Sequence, residues 1–185
     1  MNASNAEPPL APSADSRDSR FVQYLLGVRR DKVTARSALR RGDTAALADR
    51  AVPYLQTWQF RPDEVDPALL FAAALCRYAD IAHDPQTSFG RAAFRSLSPS
   101  DQRDASETTV GRRVVATQRQ ALPLAHRQFT SLLRSISDQP RLALDWTGLW
   151  RTYRSWDDPD PARRRRHRRR LLLDFYGTAP RDDDA

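Results

Sequence analysis

"DPALLFAAALCRYADIAH", residues 66–83, decides the fold. Asp66 reads as a helix cap and Pro67 as the first helical residue, where the missing N–H has no intrahelical partner to lose. From residue 68 to residue 82 apolar side chains cover nearly the whole circumference, so this helix is expected in the middle of the molecule. Cys76, the single cysteine, lies within that run and reads as a small core hydrophobe. With no second thiol there is neither an internal disulfide nor a multi-thiolate metal site.

Working outward on the amino side, "VPYLQTWQF" (residues 52–60) gathers Tyr54, Leu55, Trp58 and Phe60, and it fits a strand, an aromatic-rich helix or an extended packing segment. Before it, Phe21, Tyr24, Leu25 and Val28 recur at helical spacing in a helix starting near Asp18. Asp31 is expected to cap a second helix, with Val33 and Leu39 inward, that ends in "LRRGD" at Gly42. Asp43 or Thr44 restarts a short helix through Ala51. The first seventeen residues hold three of the 13 prolines and little to bury, and they read as a disordered tail.

On the carboxyl side, "TSFGRAAFRSLSPSDQRD" (residues 87–104) contains a short helix with Ser88 as cap and Phe89, Ala93, Phe94 and Leu97 inward. Val110, Val114 and Thr117 place a helix on "SETTVGRRVVATQRQAL", and Leu122, Ala125, Phe129, Leu132, Leu133 and Ile136 trace a clean stripe along the next. Asp145 caps a further helix whose Trp146, Leu149, Trp150 and Tyr153 share a face. Those two tryptophans, with Trp156, read as packing residues rather than base-stacking ones. Finally "PARRRRHRRRLLLDFYG" (residues 161–177) has Asp160 as cap and Pro161 as first residue, with Leu172, Phe175 and Tyr176 supplying an apolar face. A mere tail would not end that way. Its arginines cover every azimuth of two turns, so they are expected to project into solvent or onto an anion.

No segment alternates with period two, glycine is scarce, and no hairpin dipeptide occurs. The fold class is therefore all-α: one helical bundle of about eight or nine helices over residues 18–177, between a disordered tail at 1–17 and an acidic one at 178–185. No stretch approaches the roughly 20 apolar residues of a membrane span, and the amino terminus lacks the basic start and apolar core of a signal peptide. A cytoplasmic protein without membrane contact is expected.

The formal charge is +7, and 29 of the 30 basic residues are arginine. Residues 1–109 carry 14 basic and 14 acidic residues, residues 110–160 eight and five, and residues 161–185 eight and four. The whole excess is thus in the carboxyl part, the footprint of a polyanion partner. Arg112, Arg113 and Arg119 would share one side of a helix, since positions seven apart return to nearly the same azimuth, and Arg127 and Arg134 repeat the spacing on the next. Arg164, Arg165, Arg168 and Arg169 represent the terminal run. Catalytic chemistry is missing: there is no nucleophile elbow, no Walker loop and no ligand set around His83, His126 or His167, so no enzyme activity, metal or cofactor is expected.

Together, in this order, "FVQYLL", "ALRRGDTAALADRAVPYL", "PALLFAAALCRYA", "SFGRAAFRSL", "GRRVVATQRQAL", "FTSLLRSI", "LDWTGLWRTYRSW" and "RRRLLLDFYG" resemble the CasB family, the small subunit of the type I-E CRISPR surveillance complex Cascade. The likeness runs from about residue 21 to residue 177. It implies an all-helical, non-catalytic protein, present in two copies, that touches the backbone and large subunits. Its partners would be guide RNA, target DNA and above all the displaced single strand of the R-loop, in antiviral defence. Arg40 and Arg41 match the family's "LRR" element, Arg112 and Arg113 its paired basic element, and Arg61 a loop position more weakly. Where the family carries arginines before an aliphatic pair, this chain has Thr130 and Ser131 before Leu132 and Leu133, and Arg127 or Arg134 would take over that contact. A helix-turn-helix regulator of duplex DNA and a basic helical adaptor for an acidic protein are the alternatives.

Overall fold

The computed structural model describes residues 14–177; of the two terminal segments expected to be disordered, residues 1–13 and 178–185 lie outside the described residues. Ten α-helices are present among the described residues: α1 (Ala14–Asp31), α2 (Val33–Arg40), α3 (Ala45–Ala51), α4 (Pro62–Arg77), α5 (Phe89–Arg95), α6 (Pro99–Arg103), α7 (Thr109–Thr117), α8 (Leu122–Ser137), α9 (Trp146–Ser155) and α10 (Pro161–Tyr176). The all-α class holds. The only strand pairing among the described residues is two residues long: Ala82 and His83 run parallel to Ala143 and Leu144.

Helix α4 is the central element. It packs on α1, α2, α8 and α9, and its buried positions include Ala68, Leu69 and every residue from 71 to 76. Burial pushes the Cys76 thiol up to about 12, which suits an inert core residue. The helix starts earlier than its sequence suggests. Pro62 holds the first position, Asp63 and Glu64 supply the acidic first turn, and the Glu64 carboxylate accepts from the Arg61 backbone N–H at 3.1 Å. Pro67 therefore lies inside the helix and Asp66 is an exposed helical residue rather than the cap.

Aromatic rings carry the packing from helix to helix. Phe21 of α1 stands edge-on to Trp150 of α9 with centroids 5.0 Å apart, Phe71 of α4 lies 5.7 Å from Tyr153, and Phe129 of α8 lies 5.2 Å from Tyr153 and 4.9 Å from Trp156. All of these residues belong to one continuous buried cluster reaching from α1 to Phe175 of α10. The reading of Trp146, Trp150 and Trp156 as packing residues is thereby met, each being at most 1% exposed.

Two local expectations are corrected and one that was left open is decided. Helix α1 extends from Ala14 through Asp31, so Asp31 ends that helix, Lys32 precedes the next, and Val33 is 70% exposed while Ala35 and Leu39 face inward. The aromatic segment 52–60 forms two short 3-10 turns, Val52–Tyr54 and Gln56–Trp58, rather than a strand. In α10 the buried residues are Leu171 and Phe175, with Leu172 half-buried, because an inward stripe through Arg164, Arg168, Leu171 and Phe175 follows the steps of four and three that a helix requires.

Candidate nucleic-acid interface

The arginines fall into two sets. Some are bound into the fold. Arg168 is the fullest case: Nε donates to the Trp156 carbonyl at 3.0 Å, Nη1 to the Gln118 carbonyl at 3.0 Å and Nη2 to Asp157 at 2.8 Å, with the guanidinium 5.2 Å from the Trp156 ring centroid. Asp157 also accepts from the Leu122 backbone N–H at 2.8 Å, and the Trp156 indole donates to the Gln120 carbonyl at 3.0 Å. One guanidinium thus ties the end of α7, the start of α8, the end of α9 and the middle of α10 together. Arg164 donates to the Asp158 carbonyl at 3.0 Å. The expectation that the whole terminal run projects outward is corrected for these two residues, which lie on the core side of α10.

Arg61 is likewise internal in its contacts. It pairs with Asp63 at 3.2 Å and Glu64 at 3.5 Å at the start of α4, sixteen residues and about 24 Å from that helix's other end. The structure does not bring it to the remaining candidates. Arg77, Arg151 and Arg154, which the sequence did not single out, serve the interior too: Arg77 reaches Asp43 at 2.7 Å, and Arg154 and Arg151 pair with the buried Asp18 at 2.8 and 3.6 Å.

The second set faces solvent without a hydrogen bond or ion pair from its side chains among the described residues: Arg40, Arg41, Arg112, Arg113, Arg119, Arg127, Arg134, Arg165 and Arg169. Arg113 is half-buried and the others are exposed. Helix contacts relate them. Arg77 also donates to the Arg40 carbonyl at 3.1 Å, which fixes the end of α2 against the end of α4; Arg41 lines a groove of about 290 Å³ between α2 and α3 with Arg50 and Tyr54. Tyr78, just past α4, donates to the Thr130 carbonyl at 2.7 Å, and burial first of all raises its pKa, with Arg77 and Arg134 acting the other way. The end of α2 and the outer face of α8, with Arg127 and Arg134, therefore flank the end of α4. Thr130 and Ser131 lie between those two arginines, half-buried, with the Thr130 hydroxyl donating to the Arg127 carbonyl.

From α8 the contacts pass to α7 and from α7 to α10. Arg168 meets Gln118 at one end of α7, while Glu107, just before its start, acts on Tyr176 at the end of α10, so the two helices run antiparallel. This sets Arg112 and Arg113 beside the stretch of α10 between Arg168 and Tyr176, with Arg165 one turn further back, beyond the end of α7. Arg119 departs from its expected place. Helix α7 stops at Thr117, whose hydroxyl donates to the Arg113 carbonyl at 2.6 Å, while the Gln118 amide donates to the Val114 carbonyl at 3.4 Å; these bonds satisfy the last carbonyls, and Arg119 sits in the turn that follows.

Helix α10 shows what the sequence missed. At about 100° per residue, Arg165, Arg169, Leu173, Arg166 and Arg170 fill one outward arc of roughly 140°. All five are exposed. Arg166 and Arg170 belong to this face as fully as the two arginines chosen from sequence, and helical periodicity, anchored on Leu171 and Phe175, was the signal that could have found them. The helix is held at its start by Asp160, which accepts from the Ala162 and Arg163 backbone N–H groups at 2.8 and 3.4 Å; the Ala162 bond is the first cause of the lowered Asp160 pKa. It is held in place by Gly90 of α5, where a Cβ would stand 2.7 Å from the Leu171 carbonyl and 2.8 Å from the Phe175 nitrogen. No group of three potential metal ligands occurs among the described residues, and no helix there is long and apolar enough to cross a membrane.

The family model for CRISPR-associated protein Cse2 matches residues 35–176. Among solved structures, a CRISPR-associated protein of the Cse2 family from Thermus thermophilus superposes with a TM-score of 0.67 at 22% identity, covering 87% of this chain and 98% of that one. CasB from M. ruber gives 0.63 at 16% identity, over 88% and 93% of the two chains. A chain of a CRISPR RNA-guided surveillance complex gives 0.65 at 20% identity, over 89% and 94%. At these identities the likeness concerns the fold. There is no match among curated proteins.

Proposed function

The chain belongs to the CRISPR-associated Cse2 family, and from that premise we propose that it is a non-catalytic subunit of an RNA-guided surveillance complex of the Cascade type, present in two copies beside the backbone and large subunits. Its exposed arginines hold the sugar-phosphate chains of the R-loop, chiefly the displaced strand, and so favour the open state without reading sequence. The observation that carries this reading is the division of the arginines: those on α4 and α9 and the inner side of α10 are engaged by carboxylates and carbonyls, whereas those on the outer sides of α7, α8 and α10 and at the end of α2 keep their guanidinium groups available on successive packed elements. The likeness to a chain of a surveillance complex supports the assembly.

Arg112→Glu with Arg113→Glu tests it. The double variant should retain the wild-type helical content, because both side chains lie outside the core, and the assembled complex should lose R-loop lifetime by about tenfold or more, with a log–log salt slope for displaced-strand binding lower by about 0.7 for each phosphate contact removed. Unchanged R-loop lifetime and an unchanged slope would remove these two residues from the interface.

A further inference from the structure

The groove between α2 and α3 holds groups that a purely cationic interface does not use. Thr34, Ser37 and Arg41 form one wall, at the steps of three and four that a helix face requires, and Leu47, Arg50 and Tyr54 form the other. Its volume of about 290 Å³ is close to the roughly 300 Å³ at which small-ligand sites begin. The five polar side chains are two hydroxyls, two guanidinium groups and a phenol, and none makes a hydrogen bond or ion pair among the described residues. No carboxylate lines the groove. Two other clefts differ in this respect. In the one between α9 and α10, Arg151 and Arg154 pair with Asp18, and Thr152 and Ser155 donate to carbonyls of their own helix. In the one beside α1, Arg29 and Arg36 donate to the Ile81 and Arg29 carbonyls and Arg30 pairs with Asp31.

The walls are fixed from behind. A Cβ on Gly42 would stand 2.9 Å from the Ala51 Cβ, so the segments that carry the adjacent Arg41 and Arg50 come close together. Tyr24 donates its O–H to the Tyr54 carbonyl at 2.9 Å and so holds the 3-10 turn that presents the Tyr54 ring. That ring is half-buried and makes no aromatic contact among the described residues. The other half-buried aromatics are engaged: Tyr24, Trp58 and Phe60 meet other rings, Tyr78 donates to the Thr130 carbonyl, and Tyr176 stands edge-on to Phe175.

We propose that this groove is a nucleotide subsite for single-stranded nucleic acid, in which one unstacked base lies on the Tyr54 ring while Arg41 and Arg50 hold the flanking phosphates. The inference rests on the reading of the exposed arginines as a phosphate interface and adds to it a contact with the base. Leu47 and Ala38 supply apolar surface beside the ring. The Thr34 and Ser37 hydroxyls each donate and accept, so they serve the polar edge of any base. Every base has a π face, which makes such a subsite tolerant of sequence, but in a duplex that face is covered by the neighbouring base pairs. The groove therefore favours an opened strand over a closed duplex. Guanidinium groups alone make no such distinction, since both forms offer phosphates.

The test measures the affinity of the full chain, at about 50 mM salt, for two strands of about 20 units: oligo(dT) and an abasic polymer of the same sugar-phosphate charge. The wild type should prefer oligo(dT) by about fivefold or more, the lower end of what stacking one base on an aromatic side chain gives. Tyr54→Leu keeps an apolar side chain against the core and should erase that preference through weaker oligo(dT) binding, whereas Tyr54→Phe should retain it. Arg50→Gln should weaken both strands alike and lower the log–log salt slope by about 0.7. Equal affinity of the wild type for the two strands, or a preference that survives Tyr54→Leu, overturns the base subsite and leaves the phosphate interface standing. Binding of neither strand overturns the phosphate reading and the subsite with it. Thymidine 5′-monophosphate bound as tightly as oligo(dT) would assign the groove to free nucleotides and overturn the strand as its occupant.

Discussion

Arg168 and Arg169 are neighbours with opposite work. The first lies 15% exposed in its side chain among the Gln118 and Trp156 carbonyls, Asp157 and the Trp156 ring; the second points outward. Arg168→Leu leaves two carbonyls and a carboxylate without their donor and should destabilise the protein by about 2–4 kcal/mol, whereas Arg169→Leu should stay within about 0.5 kcal/mol of wild type. Urea denaturation of the two variants checks this; equal losses would mean that the Arg168 contacts contribute little. Nothing in the run RRRRHRRR distinguishes these residues by type. What separates them is the distance to acceptors on α7 and α9, sequence positions up to fifty residues away. Arg61 teaches the same at the other end of α4, where a candidate interface residue is held by Asp63 and Glu64.

At the scale of elements, the caps at Ser88 and Asp160 were legible because capping is a local interaction, whereas Asp31 and Asp66 do not cap the helices assigned to them. Ser88 accepts from the Arg91 N–H and Asp160 from the Ala162 N–H, both as their spacing suggests. Gly90 was not legible in its role. In "SFGRA" it stands at the second position of α5 and reads as a tolerated helix glycine, yet it is where α5 and α10 approach so closely that a side chain would press on the Leu171 carbonyl, Asp174 and the Phe175 nitrogen. Gly90→Ala should therefore destabilise the protein by about 1–3 kcal/mol. The lesion should be local: amide hydrogen exchange should quicken in α10 while α4 retains its protection, and protection of α10 equal to wild type would show that the contact relaxes without moving that helix. Since α10 carries the four-arginine face, its seating by Gly90 also orients the charge.

The whole molecule is joined by a polar strut through its apolar interior. Tyr153 of α9 donates its O–H to His126 Nδ1 at 2.9 Å, His126 Nε2–H of α8 donates to Asp43 at 3.3 Å, and Arg77 of α4 closes the network on the same carboxylate at 2.7 Å. This is the hydrogen arrangement that gives each group a complementary partner, and it requires His126 to be neutral. Burial lowers the His126 pKa below its ordinary 6.5, although the hydrogen bond to Asp43 and its charge act in the raising direction; burial raises the Asp43 pKa, but the bonds from Arg77 and His126 outweigh that and leave it below 3.8. Both groups take up protons less readily in the folded state than in the unfolded one. Their stabilisation is complete above pH 6.5 and falls on acidification, His126 contributing to the loss as the pH drops through and below 6.5 and Asp43 below about 3.8. Denaturant unfolding from pH 7.5 to 5 should show stability falling with pH in the wild type and a flatter profile in His126→Gln; an equally steep profile in the variant would assign the dependence elsewhere. Because one buried cluster extends from Phe21 to Phe175, tryptophan fluorescence and far-ultraviolet dichroism should report the same transition.

The sequence by itself determined the all-α class, the burial of the central helix, the packing role of Trp146, Trp150 and Trp156, and the cap and first residue of α10, because helical period, capping and apolar content act within a few residues. It also located the excess positive charge in the carboxyl part and carried a family resemblance in the order of its motifs. Only the tertiary structure decided where α4 begins, that α7 stops before Arg119, and which arginines belong to the interior and which to solvent. Those outcomes depend on carbonyls, carboxylates and close backbone approaches brought together by packing, and a guanidinium group has the same chemistry in either place until its neighbours are known.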